Sequence, residues 1–386
     1  MTETTPAIGG GKIECKLDGA LCHSIQVYLR ENHPGWDIAR YQREYPGEPI
    51  LSEAAKSMIR VKQAQKEQAK VVGGDRQPMH EIFALGEVKA AMNARGQPIM
   101  IPVMSELTPE AEQLVPDVDQ NYVFDIENLK SILIAQELKA PLYVWGYHGT
   151  GKTTLLEQIA ARTKRPFMRV QHTVNTEESH IIGQYVVKEG ETKFELGPLA
   201  VAMLEGFVYC ADEYDRGTAP VLSVYQPVLE GKALYIKEAP PAQRVIRPHP
   251  NFRFVATGNT NGCGDETGLY QGTQMQDGAN FSRFGVTIEI GYMEPKVESM
   301  VIAGQANIDK KDADKLVEFA NSIREAFKAA RLGSTISPRE LINAARFAVM
   351  KGGAWRAGLI AAWAARLSRV DKETADGFAQ RVFGGV

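Results

Sequence analysis

The sequence predicts an α/β fold: a parallel sheet flanked by helices and carrying inserted β-hairpins, then a C-terminal helical lid, with a small helical unit at the N-terminus. Three observations predict it. A glycine-rich loop, Gly146-Tyr147-His148-Gly149-Thr150-Gly151-Lys152-Thr153, lies between the apolar run Pro141-Leu142-Tyr143-Val144-Trp145 and a helical pattern. A second apolar run ends in two carboxylates, Gly206-Phe207-Val208-Tyr209-Cys210-Ala211-Asp212-Glu213, and a third, from Asn251, ends at Gly258-Asn259-Thr260. Apolar runs that stop at polar residues are what strands covered on both faces look like.

The loop fits the spacing G-x-x-x-x-G-K-[ST], in which glycines let consecutive backbone N–H groups curl around nucleotide phosphates at the positive end of the following helix. Gly146, His148, Gly149, Thr150, Gly151, Lys152, Thr153 and Thr154 are therefore the expected nucleotide-binding residues. Lys152 is expected to reach the β- and γ-phosphates and the Thr153 hydroxyl to sit on Mg²⁺. Asp212 is expected to hold that Mg²⁺ through water, and Glu213 to polarise the attacking water, so ATP and Mg²⁺ are the expected cofactors. Asn259, at a strand tip, stands where it can orient water against the γ-phosphate, with a turn-forming Asn as the competing reading.

With 386 residues, 44% apolar and 24% charged, the chain can bury one large core and carry a second, smaller unit. Its apolar stretches fall well short of a membrane span, and Met1-Thr2-Glu3-Thr4-Thr5-Pro6 lacks the features of a signal peptide, so a cytoplasmic location without a membrane partner is expected. Lys and Arg total 44 against 47 Asp and Glu, which gives no overall basic footprint for nucleic acid and leaves only a local patch open. Cys15, Cys22, Cys210 and Cys263 are unevenly spaced and do not make a disulfide framework.

In chain order, residues 1–14 read as a flexible lead, 15–50 as a small helical unit, 51–115 as helix and linker, 116–294 as the nucleotide-binding core and 295–386 as the lid. The small unit reads as a turn and two short helices packed on Leu17, Leu29, Trp36 and Tyr41. Residues 52–70 read as a polar helix, 71–75 as a linker, and 79–116 as extended chain laid over the nucleotide-binding core. A helix over 121–134 leads into the first strand, and 166–170 is the second. Between 177 and 199 a hairpin turning at Lys188-Glu189-Gly190-Glu191 interrupts a helix. A helix over 219–229, a second hairpin from 233–236 to 244–246, and a strand over 286–290 follow. Lid helices are expected over 315–329, 338–350 and 356–367. Within Ser337-Pro338-Arg339-Glu340 the proline suits a helix start. Arg339 in the first turn opposes the helix dipole, so an anionic ligand is its expected reason, against a solvated pairing with Glu340.

Phosphate loop, hairpin within a helix, Asp-Glu strand, second hairpin, polar-tipped strand, Phe281-Ser282-Arg283-Phe284-Gly285 and a lid with Pro338-Arg339 follow one another in an order that resembles the AAA+ ATPases of the helix-2-insert branch. That branch includes the MoxR-type ATPases and the motor subunits of magnesium and cobalt chelatases. The strings Asp212-Glu213-Tyr214-Asp215, Val245-Ile246-Arg247-Pro248-His249-Pro250 and Thr267-Gly268-Leu269-Tyr270-Gln271-Gly272-Thr273-Gln274 are most similar to the small ATPase subunits of aerobic cobaltochelatases. The resemblance implies that Asn259 is sensor 1, Arg283 an arginine finger offered to the neighbour's nucleotide, and Arg339 sensor 2. It also implies a homo-oligomeric ring, expected to be a hexamer, with ATP at each interface and the hairpins directed toward the pore or one face. In the chelatases such a ring acts with a partner carrying a metal-dependent adhesion site and with a large catalytic subunit. The expected function is an ATP-hydrolysing motor that remodels a partner complex. A MoxR-like chaperone unrelated to cobalamin, or a DNA-binding regulator using ATP for assembly, are the alternatives.

Residues 15–50 resemble the zinc-finger-like core of the Ros/MucR regulators. Cys15, Asp18 and His33 fall on its ligand positions, whereas Tyr28 takes the place of the first histidine and is a poor zinc ligand. A metal-free unit that recruits a partner or cargo is expected, with Cys22 and His23 completing a zinc site by rearrangement as the alternative.

Overall fold

The computed structural model describes residues 12–52, 55, 74–86, 89–93, 95–188, 190–265, 270 and 272–384. The lead before residue 12, nearly all of the helix read over 52–70, residues 71–73 of the linker, Glu189 of the first hairpin turn, and residues 266–269 and 271 lie outside the described residues. The chain divides into two units, Met1–Gly73 and Gly74–Val386.

In the first unit, β1 (Ile13–Glu14) pairs antiparallel with β2 (Leu21–Cys22), ahead of α1 (Ile25–Asn32) and α2 (Ile38–Glu44). Ser24 and Asp37 cap the two helices through their side-chain oxygens. The hairpin escapes sequence reading because two residues per strand are too few to show an alternation. Ile25, Leu29 and Tyr41 form the core together with Cys15, whose side chain is fully buried. Asp18 lies elsewhere in the hydrogen bonding: its Oδ2 accepts from the Tyr28 hydroxyl at 2.7 Å and meets His33 Nε2 at 2.8 Å. Hydrogen bonds from Tyr28 and His33 lower the Asp18 carboxyl to about 2. The three positions that match zinc ligands are thus divided between a buried thiol and a Tyr28–Asp18–His33 cluster. Among the described residues, no group of three or more His, Cys, Asp or Glu is placed to hold a metal ion.

The second unit opens with β3 (Arg76–Pro78), α3 (Met79–Ile82), β4 (Met100–Pro102) and α4 (Pro109–Glu112), β4 pairing antiparallel with β3. The sequence predicts extended chain laid over the core here; the stretch does lie on the core, but as short strands and helices rather than as extended chain. It is folded onto the core because Met79, Phe83 and Ile101 are buried with Leu129, Ile132 and Leu133 of α5 (Ile126–Glu137). Next come β5 (Leu142–Trp145), α6 (Lys152–Arg162) and β6 (Phe167–Gln171). The hairpin of β7 (Gly183–Lys188) and β8 (Glu191–Leu196) sits between α7 (Glu178–Ile182) and α8 (Pro198–Glu205), and β9 (Val208–Asp212) follows.

The single helix read over 219–229 is broken into α9 (Ala219–Leu222), a 3₁₀ turn over Ser223–Tyr225 and α10 (Gln226–Leu229). Pro227 accounts for this, since it lacks an N–H and its ring conflicts with the carbonyl four residues back. A second hairpin, β10 (Leu234–Tyr235) with β11 (Val245–Ile246), leads to β12 (Arg253–Gly258), α11 (Gly278–Phe281) and β13 (Val286–Glu289). The Tyr185 hydroxyl of the first hairpin donates to the Glu238 carbonyl of the second at 2.9 Å, so the two hairpins are tied.

Five parallel strands form the sheet in the order β13-β5-β12-β9-β6. Alternation sorts their side chains onto two buried faces. Leu142, Val144, Cys210 and Val255 pack on one with α5 and α6, and Tyr143, Tyr209, Phe254 and Ala256 on the other. Since all five strands run the same way, the carboxyl ends of β5, β9 and β12 share one edge, where open α/β sheets bind ligands.

The lid consists of α12 (Pro295–Ala306), α13 (Lys310–Lys328), α14 (Pro338–Met350), α15 (Trp355–Ala362) and α16 (Arg369–Phe383). Leu316, Phe319, Ile323, Leu341, Leu359 and Trp363 build its own core. Inside it lies a buried, bidentate ion pair, with Arg324 reaching the two Glu298 oxygens at 2.6 and 2.7 Å. Arg324 Nε also donates to the Ile336 carbonyl at 3.1 Å, which fixes the chain just before Ser337 and Arg339. No helix among the described residues is long and apolar enough to cross a membrane.

Candidate active site

The loop between β5 and α6 holds its shape because its glycines occupy positions closed to other residues. Gly146 has φ 153°, and a Cβ there would stand 2.1 Å from the Ile290 carbonyl. Gly149 has φ 76°, and a Cβ would stand 2.2 Å from the Ser337 Cβ at the start of α14. The phosphate loop therefore packs directly against the lid. Lys152 begins α6, and its Nζ donates to the Gly146 and Tyr147 carbonyls at 2.8 and 3.0 Å and to Asn259 Oδ1 at 3.1 Å. Burial lowers its pKa to about 8, against the opposing fields of Asp215, Asp212 and Glu213.

From β9, Asp212 receives the Thr153 hydroxyl on Oδ1 at 2.8 Å and the Thr257 hydroxyl of β12 on the same oxygen at 2.5 Å. Arg169 of β6 reaches Oδ2 through Nε at 2.8 Å. Burial alone raises the Asp212 carboxyl, but the hydrogen bonds from Thr257, Thr153 and Arg169 outweigh it and hold the group below its ordinary value, so it is ionised at neutral pH. The Glu213 backbone takes φ 51°, a left-handed conformation that costs a non-glycine residue energy and turns the side chain out of the strand. Its N–H donates to the Thr257 hydroxyl at 3.2 Å, and Gln171 Nε2 and Arg216 hold its Oε2 at 3.1 and 3.3 Å.

Lys152, Thr153, Arg169, Asp212, Glu213, Thr257 and Asn259 line one cavity of about 460 Å³, together with His148, Gly149, Thr150, Gly151, Thr154 and, from the lid, Ser337, Pro338 and Arg339; Gly146 shapes the loop without lining it. The Ser337 side chain caps α14 and Glu340 returns the bond to the Ser337 N–H, so the first turn carrying Arg339 is fixed. Glu340 pairs with Arg366. Arg283 is placed differently. It is not among the residues lining this cavity, and its Nε instead meets Glu230 Oε1 at 2.7 Å.

Sequence reading passed over three participants. Arg169 looks like an ordinary polar residue on an edge strand, Thr257 is hidden inside an apolar run, and Asp215 lies past the carboxylate pair; none carries a spacing signal, because Arg169 and Thr257 come in on strands that pair only in three dimensions and Asp215 on the 3₁₀ turn that follows β9.

Oxygen ligands suit a hard divalent cation, and Mg²⁺ is usually held by one or two protein groups plus phosphates. The Thr153 hydroxyl beside the Asp212 carboxylate is such a set.

An AAA domain of the dynein-related subfamily matches residues 141–274, and the CbbQ/NirQ/NorQ C-terminal domain matches residues 298–382. Over 245 residues, 61% of this chain and 73% of the relative, the sequence is 36% identical to aerobic cobaltochelatase subunit CobS from a Sinorhizobium species. It is 30% identical over 173 residues to midasin of Dictyostelium discoideum, covering 44% of this chain but 3% of that protein. Protein NorQ of Paracoccus denitrificans is 28% identical over 208 residues, 53% of this chain and 72% of the relative.

Proposed function

This chain belongs to the family of the aerobic cobaltochelatase subunit CobS, as an AAA+ ATPase of the MoxR-like branch that binds and hydrolyses ATP, and from that premise we propose that it works as a ring motor remodelling a partner complex. The observation that carries the reading is the meeting of Lys152, Asn259, Thr153 and Asp212 at the ends of three adjacent strands.

In this reading the loop N–H groups and Lys152 bind the phosphates, while Thr153 and Asp212 hold Mg²⁺. Bound there, Mg²⁺ neutralises charge on the phosphate oxygens. Glu213, turned out of its strand, accepts a proton from the attacking water, and Asn259 orients that water. Arg339 contacts the phosphates from the lid. Arg283, outside its own cavity, serves the neighbouring subunit's nucleotide in a hexameric ring. The two tied hairpins transmit lid motion to the partner, for which an adhesion-site protein together with a large chelatase subunit is the proposed set.

The lid's match to the CbbQ/NirQ/NorQ C-terminal domain supports a second reading, a remodelling chaperone without a role in cobalt insertion. Affinity capture with the Glu213→Gln protein and ATP, read by mass spectrometry, separates them. Recovery of a large chelatase subunit with an adhesion-site protein supports the chelatase reading. Recovery of an adhesion-site protein alone, or of unrelated assemblies, supports the chaperone.

A further inference from the structure

Asp215 has no task in the mechanism above, yet its carboxylate is fully buried, a costly placement unless hydrogen bonds compensate it. Its Oδ2 accepts three: from the Asn259 N–H at 2.7 Å, the Thr260 N–H at 3.0 Å and the Thr260 hydroxyl at 3.1 Å. Oδ1 is buried without a hydrogen-bond partner among the described residues. On the other side of the chain, the Tyr143 hydroxyl donates to the Thr260 carbonyl at 2.8 Å. Between them Gly258 packs so closely that a Cβ would stand 1.9 Å from the Tyr143 oxygen and 3.2 Å from the Asp215 Cγ.

The register explains why such an acceptor is needed. β12 pairs with β9 only as far as Ala256 opposite Ala211, and with β5 as far as Gly258 opposite Trp145. Beyond that point the N–H groups of residues 259 and 260 have no strand to bond to. Asp215 supplies the missing acceptor; burial raises its carboxyl, the hydrogen bonds from residues 259 and 260 oppose that, and in its ionised form it makes hydrogen bonds roughly twice as strong as a neutral acceptor. The backbone of Asn259 is thus held by Asp215 while its side chain meets Lys152.

We propose that Asp215 is the positioning residue of the ATPase site, fixing the backbone at residues 259 and 260 so that the Asn259 amide is presented to Lys152 and the nucleotide. The inference rests on the reading of Asn259 as a group that acts on the hydrolytic water.

The test is a double-mutant cycle on the full chain with ATP, reading kcat, KM and the thermal unfolding midpoint of each variant. Asn259→Ala and Asp215→Ala should each lower kcat at least about tenfold, with KM changed by no more than about threefold. The double variant should be no slower than the slower single one, because both changes remove the same group from its place. Asp215→Asn keeps a neutral acceptor and should lose about threefold in kcat; it carries the same cycle if Asp215→Ala does not fold. Losses that multiply in the double variant, or a change confined to KM, would overturn the inference while leaving Asn259 in its role. If Asn259→Ala itself leaves kcat unchanged, the reading of Asn259 fails, and the inference fails with it.

Discussion

Lys152 Nζ lies 3.1 Å from Asn259 Oδ1, so the cation that begins α6 and the amide that ends β12 meet across two neighbouring strands. In the proposed reading Lys152 presents this charge to phosphate, so with Lys152→Ala fluorescent-nucleotide titration should show binding weakened at least about 100-fold. Glu213→Gln should instead bind ATP within about threefold of the unchanged protein and turn it over at least about 100-fold more slowly. Full turnover in Glu213→Gln would remove Glu213 from the role of base.

Arg283 bonds to Glu230 rather than to its own cavity, which suits a group that acts on a neighbour. Arg283→Ala should lower turnover about 1,000-fold. Mixed with Lys152→Ala subunits, it should regain part of that activity, since an intact finger and an intact nucleotide site then meet at some interfaces. Mixed rings, demonstrated by co-purification of two affinity tags, that recover no turnover would count against action in trans.

At Gly149 a methyl group would meet Ser337 and the backbone would remain at φ 76°. Strain of about 1–3 kcal/mol is expected for Gly149→Ala. Nucleotide affinity should drop about tenfold or more by calorimetric titration, and an unchanged affinity would mean that loop and lid separate freely.

The Glu298–Arg324 pair is almost wholly inside the lid, with side-chain exposures of 0% and 4%. Arg324→Met strands a buried carboxylate, and urea unfolding should register a loss of about 3–5 kcal/mol. Replacing both partners by apolar residues of similar size should cost much less. Equal losses in the single and double variants would show that the charge itself stabilises the lid.

His172 is fully buried; its Nε2 meets the Tyr225 hydroxyl at 2.8 Å, and burial lowers its pKa below the ordinary 6.5. Well above pH 6.5 the imidazole is neutral in both folded and unfolded chains, so there it contributes no pH dependence. Below that value the unfolded chain takes up a proton that the folded one refuses, and stability should fall by up to about 1.4 kcal/mol per pH unit. His172→Gln should flatten this part of the urea-unfolding profile, and an unaltered slope would assign the effect to another group.

The residues that a short motif binds together were legible before the structure. Lys152, Thr153 and Asp212 announce themselves because loop, helix start and strand end are local events, each with its own composition. Asn259 needed the further rule that strand ends of a parallel sheet face the ligand. Arg169 and Asp215 gave no such sign: one meets Asp212 through β6–β9 pairing, the other reaches residues 259 and 260 across a crossover. Element boundaries failed for similar reasons. Pro227 splits a helix whose apolar spacing reads as continuous, and β3 with β4 is visible only once Met79 and Ile101 are known to be buried together.

The contact between Gly149 and Ser337 makes the nucleotide cradle and the lid two faces of one joint. If the lid's tilt differs between bound ATP and ADP, thermodynamic reciprocity requires that whatever holds the lid at one tilt changes nucleotide preference by the same factor. A cargo that resists motion would then do more than load the motor. By gripping the lid it would choose which nucleotide the motor retains, and so set when the motor lets go.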